Sequence, residues 1–259
     1  MHAPIRLARD GAIATLLIDN AARRNAMSRA MWAAVPALVA EAVADPAVAV
    51  LRLTGSGGHF CGGADIAEFG EAYADAAAIA HSNRLIREAI EAIAACPKPT
   101  LATIRGACVG GGVAIALACD LRLAADDARF AVTPVRLGLT YSHADTRRLV
   151  LAVGSNRAKE MLFSARIVEA AEAARIGLVD RLWAAEAFEA EAARYLGGIA
   201  ATSRPALRGV KAMVNAIAGG AAAETPALAA LFESPFAGDD FQEGYRAFLE
   251  KRPPRFTAP

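Results

Sequence analysis

Three consecutive glycines, Gly110-Gly111-Gly112, stand between a short apolar run, Leu101 to Ile104, and an apolar stretch that reads as a helix to Cys119. Without side chains, a triplet at a strand-to-helix junction lets the backbone turn sharply and approach a neighbour or a ligand closely. A second glycine-rich segment, Gly57-Gly58-His59-Phe60-Cys61-Gly62-Gly63-Ala64-Asp65-Ile66, follows another strand-like run, Val48 to Leu53. Two such turns, each after a buried strand, commit the first half of the chain to strands alternating with helices. That pattern predicts an α/β fold with a mostly parallel sheet.

The remaining segments fill in this frame. Ile5 to Ile18 reads as a hairpin turning at Asp10-Gly11, with apolar β-formers on both sides. Ser28 is a candidate N-cap for a helix with Met31, Val35, Leu38 and Val39 on one face. Pro36 lies inside that pattern and costs about 3 kcal/mol, which predicts a kink or a break into two shorter helices. Arg84 to Ala95 is helical and stops at Pro97-Lys98-Pro99, and Leu121 to Ala124 is a further strand. From about Asn156 to Leu249 the chain is alanine-rich and predicted to be helical in nearly every segment. Helices gathered after an α/β region imply a separate helical layer or an oligomerisation arm.

Charge and composition narrow the function. The chain holds 28 Lys+Arg against 27 Asp+Glu, so no basic excess exists to neutralise nucleic-acid phosphates. Cys61, Cys96, Cys108 and Cys119 are widely spaced, as in a reducing compartment, and the histidines (His2, His59, His81, His143) are scattered, so no metal site is expected. Met1 to Asp10 lacks the apolar run of a signal peptide. The longest apolar stretch, Ala107 to Cys119, falls short of the roughly 20 residues of a membrane span. The expectation is a cytoplasmic protein with neither a nucleic-acid nor a membrane partner.

No Walker-A, G-x-S-x-G or H-E-x-x-H motif occurs. Chemistry is therefore sought in the two glycine-rich segments. Each could aim one backbone N–H at a single carbonyl oxygen, forming an oxyanion hole. They serve equally well as tight turns for packing, and residue types alone do not separate the two roles.

The chain resembles the crotonase, or enoyl-CoA hydratase/isomerase, superfamily from end to end. The matching stretches are Arg24-Asn25-Ala26-Met27, His59 to Ile66, Pro97-Lys98-Pro99-Thr100, Gly106 to Asp120, Phe241-Gln242-Glu243-Gly244 and Phe248 to Arg252. The resemblance implies a crotonase-like spiral of repeated ββα units over residues 1–197. A C-terminal helical trimerisation region over 198–259 would give a homotrimer or homohexamer. It implies an acyl-CoA substrate, with coenzyme A entering as part of that substrate and no separate cofactor. By matched position, the N–H groups of Ala64 and Gly111 would form the oxyanion hole. Arg23, Arg24, Asn25 and Ala26, with Ala64, Asp65 and Ile66, would border CoA. Phe248 and Lys251 would reach it from a neighbouring subunit. Asp65 is expected to shape its loop and not to act as a base.

The resemblance breaks at the acid/base pair. Hydratases carry two glutamates at positions occupied here by Ala114 and Pro134, neither of which can transfer a proton. Tyr141, in Leu139-Thr140-Tyr141-Ser142-His143, matches a tyrosine of decarboxylase members, and Thr133 to Gly138 follows a pattern of methylmalonyl-CoA decarboxylases. These matches imply decarboxylation of a malonyl-type CoA with Tyr141 as a catalytic group. A hydratase or isomerase with relocated acid/base groups and a non-catalytic CoA-binding protein are the other readings. Tyr141 could instead be a half-buried aromatic with a satisfied hydroxyl, and His143 and Asp145 read equally as helix-start residues facing solvent.

Overall fold

A computed structural model describes residues 4–256; His2 and the ends of the expected terminal segments lie outside it. Its strands are β1 (Ile5–Asp10), β2 (Ile13–Ile18), β3 (Val50–Gly55), β4 (Thr100–Ile104), β5 (Ala107–Val109), β6 (Leu121–Ala125), β7 (Arg129–Ala131), β8 (Val168–Glu169) and β9 (Arg181–Trp183). The α-helices of the first half are α1 (Arg29–Ala44), α2 (Phe69–Ala72), α3 (Ala76–Ala94) and α4 (Gly111–Ala118). The later ones are α5 (His143–Val153), α6 (Ser155–Ser164), α7 (Ala170–Arg175), α8 (Phe188–Ala200), α9 (Arg204–Ala218), α10 (Pro226–Glu233) and α11 (Asp239–Leu249).

The larger sheet runs β1-β2-β3-β4-β6-β9, and only the β1–β2 hairpin is antiparallel. The smaller sheet runs β5-β7-β8, with β5 parallel to β7 and β8 antiparallel to it. Successive strands step from the large sheet to the small one, β4 to β5 and then β6 to β7. A parallel bridge between Cys61 and Cys108 gives the segment after β3 the same step. This repeated strand pair followed by a helix is the crotonase α/β architecture that the sequence implied.

Several local expectations change. Ser28 caps α1, its Oγ accepting the Met31 N–H at 3.2 Å, yet the helix runs unbroken through Pro36. Met31, Trp32, Val35 and Val39 are buried on one face. At about 1.5–3 kcal/mol each, their burial outweighs the proline penalty of about 3 kcal/mol. The second half is less purely helical than its composition suggests, because β8 pairs with β7 and β9 extends the large sheet beside β6. Runs of two or three residues are too short to show a two-residue period. The residue 197/198 boundary falls within α8.

The core is continuous between the large sheet and α1, α3 and α4, with Trp32, Phe60 and Phe130 among its fully buried side chains. All four cysteines are buried and free. Burial pushes the Cys61 thiol up to about 12, so it is no nucleophile near neutral pH. Among the described residues, no helix is long and apolar enough to cross a membrane. The late helices are anchored differently. Lys211 of α9 is buried, its ammonium 2.8 Å from the Asp120 carboxylate and donating to the Lys98 carbonyl at 2.9 Å. By contrast, α10 has no buried residue, and α11 buries only Ala247.

Candidate active site

Backbone pairing places the two glycine-rich segments against each other. The Cys61 N–H donates to the Ala107 carbonyl at 3.0 Å, and the Val109 N–H donates to the Cys61 carbonyl at 2.9 Å. The approach is close enough that a Cβ on Gly112 would stand 2.3 Å from the Cys61 carbonyl oxygen, so glycine is obligatory there. On the far side of the first segment, the Met27 N–H donates to the Gly63 carbonyl at 2.7 Å and the Asp65 N–H donates to the Met27 carbonyl at 2.9 Å. Both bonds face Met27, so the Ala64 N–H between them points the opposite way. Gly111 is the first residue of α4, where an N–H has no acceptor inside the helix. A Cβ on Gly63 would lie 3.3 Å from the Gly111 nitrogen, which sets the two free donors side by side.

Both donors open on a cavity of about 660 Å³. Its walls include Trp32, Ala64, Ile66, Ile86, Ile90, Gly111, Ala114, Pro134, Leu137, Leu139 and Tyr141. Apolar walls with two backbone donors have the chemistry to take a carbonyl carried on an acyl chain. Ala114 and Pro134 line the same cavity as the donors and bring no titratable group. Among the described residues, no cluster of three or more metal-ligating side chains occurs.

Two carboxylates do reach this cavity, Asp145 and Glu91. Asp145 is buried, which decides against the reading of it as a solvent-facing helix-start residue. It accepts the Ser142 hydroxyl at 2.6 Å and lies 3.4 Å from Arg148, which also pairs with Glu91 at 2.7 Å. Ser142 Oγ in turn accepts the Asp145 N–H and caps α5. His143 is exposed at the start of α5 and also lines the cavity.

Tyr141 lies at the cavity with its hydroxyl engaged. The O–H donates to the Gly110 carbonyl at 2.5 Å. Burial, and secondarily the Asp145 carboxylate, push its ionisation well above the usual phenol range. A neutral phenol has one proton to donate, and here that proton is committed to the backbone. Proton donation to an intermediate would exchange this bond for one to the ligand, and the contact the structure shows for the Tyr141 hydroxyl is with the Gly110 turn.

The segment expected to border CoA is divided. Arg23 and Arg24 are exposed and Ala26 is half-buried. Asn25 is fully buried, accepting the Asn20 N–H and donating to the Ser56 and His59 carbonyls, so its side chain joins loops and has no face left for a ligand. Asp65 accepts the Ala67 N–H at 3.1 Å and pairs with Arg23 at 2.5 Å. Ile66 is 68% exposed beside the donors. Phe248 and Lys251 are exposed in and after α11, and the cavity takes no wall from that helix.

Sequence reasoning missed Trp32, Arg87 and Glu91 as cavity residues. Arg87 and Glu91 follow Asn83 at four-residue spacing on α3, beside Ile86 and Ile90, so a helical face was the available signal. Nothing in its neighbourhood marks Trp32, a core position of α1 whose ring reaches Gly111 only through the fold.

The comparisons agree over the whole length. The family model described as enoyl-CoA hydratase/isomerase matches residues 8–259. A crotonyl-CoA hydratase of Syntrophomonas wolfei is 34% identical over 260 residues, covering 98% of each chain. Among solved structures, one described as an enoyl-CoA hydratase/isomerase family protein from Hyphomonas neptunium superposes with a TM-score of 0.96. It is 46% identical and the match covers 99% of this chain and 98% of that one. An enoyl-CoA hydratase/carnithine racemase from Magnetospirillum magneticum gives a TM-score of 0.95 at 33% identity, over 100% of this chain and 97% of the other.

Proposed function

Because the chain belongs to the enoyl-CoA hydratase/isomerase family, whose members act on acyl-CoA thioesters, we propose that it decarboxylates a malonyl-type CoA by stabilising the thioester enolate. The observation that carries this reading is the lining of the cavity that holds the two N–H donors, where Ala114 and Pro134 stand in place of proton-transferring side chains. Decarboxylation needs no base. The bond from the α-carbon to the carboxylate breaks, carbon dioxide leaves, and its electron pair becomes the enolate held by the Ala64 and Gly111 N–H groups. Water then supplies the proton to the α-carbon.

Release of carbon dioxide from methylmalonyl-CoA and ethylmalonyl-CoA is the test. Release from at least one is expected, and none from either would overturn the reading. Two observations favour a second reading, hydration or isomerisation. Asp145 is a buried carboxylate on the same cavity, and the Syntrophomonas wolfei relative is a crotonyl-CoA hydratase. If crotonyl-CoA is consumed while carbon dioxide is not released, this reading replaces the first. Binding of acyl-CoA without turnover of any of these compounds would leave a CoA-binding protein.

The CoA moiety is assigned to the border formed by Arg23, Arg24, Ala26 and Ile66, with Phe248 and Lys251 reaching it from a neighbouring subunit. That assignment requires assembly as a trimer or hexamer. Phe232, Phe236, Phe241, Tyr245 and Phe248 are each more than two-fifths exposed, a quantity of aromatic surface that calls for cover. Light scattering at micromolar concentration should give a mass of at least three chains, and a stable monomer would remove the cross-subunit role of Lys251.

A further inference from the structure

We infer that Tyr141 is a positioning residue for the oxyanion hole, acting through the single peptide unit that joins Gly110 to Gly111. The inference rests on the oxyanion reading above and adds to it a side chain that tunes the hole. A trans peptide is planar, with its C=O and N–H directed oppositely. The carbonyl of this unit belongs to Gly110, and its N–H is the Gly111 donor. A group that fixes the carbonyl therefore fixes the aim of the donor.

Three donors converge on the Gly110 oxygen: the Tyr141 hydroxyl at 2.5 Å, the Val113 N–H at 3.0 Å and the Ala114 N–H at 3.2 Å. The last two belong to the first turn of α4 and come with any helix. Tyr141 is the contribution of a side chain, brought from the segment that leads into α5. The Gly110 N–H is meanwhile held by the Ala131 carbonyl of β7 at 2.8 Å. Fixing is needed because Gly110 sits at φ 54 and ψ −114, a conformation glycine leaves easily.

The same bond also strengthens the donor. A hydrogen bond given to an amide oxygen draws electrons from the nitrogen, and chained hydrogen bonds reinforce one another by about 10–30% per bond. The shortest of the three comes from a phenol whose proton stays in place through the physiological range, since burial holds its ionisation high. Tyr141 thus couples the cavity wall to the electrophilic strength of the hole through the Gly110 carbonyl.

The test reads the hole directly and requires no turnover. Butyryl-CoA, isotope-labelled at its thioester carbonyl, is bound to the full-length protein, and the carbonyl stretch is followed by difference infrared spectroscopy. The parent should shift the stretch to lower frequency. Tyr141→Phe, which keeps the ring and removes the hydroxyl, should lose a substantial part of that shift while melting temperature and butyryl-CoA affinity stay near those of the parent. A purely structural tyrosine would leave the bound carbonyl unmoved.

If the Phe variant is poorly folded, 3-fluorotyrosine at position 141 keeps the shape and makes a stronger donor, so the shift should grow. On a substrate that turns over, Tyr141→Phe should lower kcat about tenfold with KM little changed, less than the 10²–10³-fold typical of deleting a donor. An undiminished shift in Tyr141→Phe, with an unaltered shift for 3-fluorotyrosine, overturns the role of Tyr141 and leaves the hole standing. No shift in the parent overturns the oxyanion reading itself, and this inference with it.

Discussion

Crotonyl-CoA should be hydrated by this protein at least about 10²–10⁴-fold more slowly than by a glutamate-bearing relative, the contribution typical of a single general acid–base group. The cavity offers an enoyl thioester a place for its carbonyl, but Ala114 and Pro134 leave the attacking water without a base beside the donors. The double variant Ala114→Glu/Pro134→Glu should raise the rate by about 10²-fold, since both positions face the cavity. Pro134 begins a 3₁₀ turn, where an acidic side chain is well accommodated. Loss of the enoyl absorbance under matched conditions measures both effects. A parent turning over near the ordinary enzyme median of about 10 s⁻¹ would show that another group supplies the base. Asp145→Asn would then be the variant to make, because Asp145 is the buried carboxylate of this cavity.

Gly111→Pro should lower kcat by about 10²–10³-fold on whichever acyl-CoA proves to be the substrate, the loss measured for other oxyanion donors. Proline removes the N–H outright, and the first position of a helix is where a helix tolerates it. The preceding Gly110, at φ 54 and ψ −114, lies outside the right-handed helical region that a following proline disfavours. The new side chain meets the Trp32 ring at 3.1 Å. Gly111→Ala makes the same steric contact and keeps the donor, so the ratio of the two variants isolates the hydrogen bond from the packing. Equal kcat in both would mean that the second donor lies elsewhere.

The frame was legible because its signals are local and periodic. The alternation of strands and helices, the Ser28 cap and the two glycine-rich junctions all appear in short windows of sequence. What escaped depends on distance. Trp32 reads as a core residue of α1, and only the stacking of α1 on the Gly111 turn makes it a wall of the cavity. Asp145 reads equally well as a solvent-facing helix-start residue, yet in the structure it is buried and held by Ser142 and Arg148. Tyr141 was visible as a candidate, but the acceptor of its proton was not, because Gly110 lies 31 residues earlier. Asn25 matched a CoA-bordering motif, and its burial under three loop contacts could not be read from the motif.

The close approach of Gly112 to Cys61 has a consequence for how such a protein can change its reaction. The two donors are backbone atoms fixed by this contact and by the neighbouring sheet bonds, so ordinary side-chain replacement at Ala64 cannot delete one. The side chains that line the cavity with them stand on separate elements: Ala114 on α4, Pro134 in the turn after β7, Asp145 on α5 and Glu91 on α3. A lineage can therefore exchange these side chains one residue at a time while the pair of backbone donors persists throughout. The part of the site that is hardest to build is also the part that substitution reaches least.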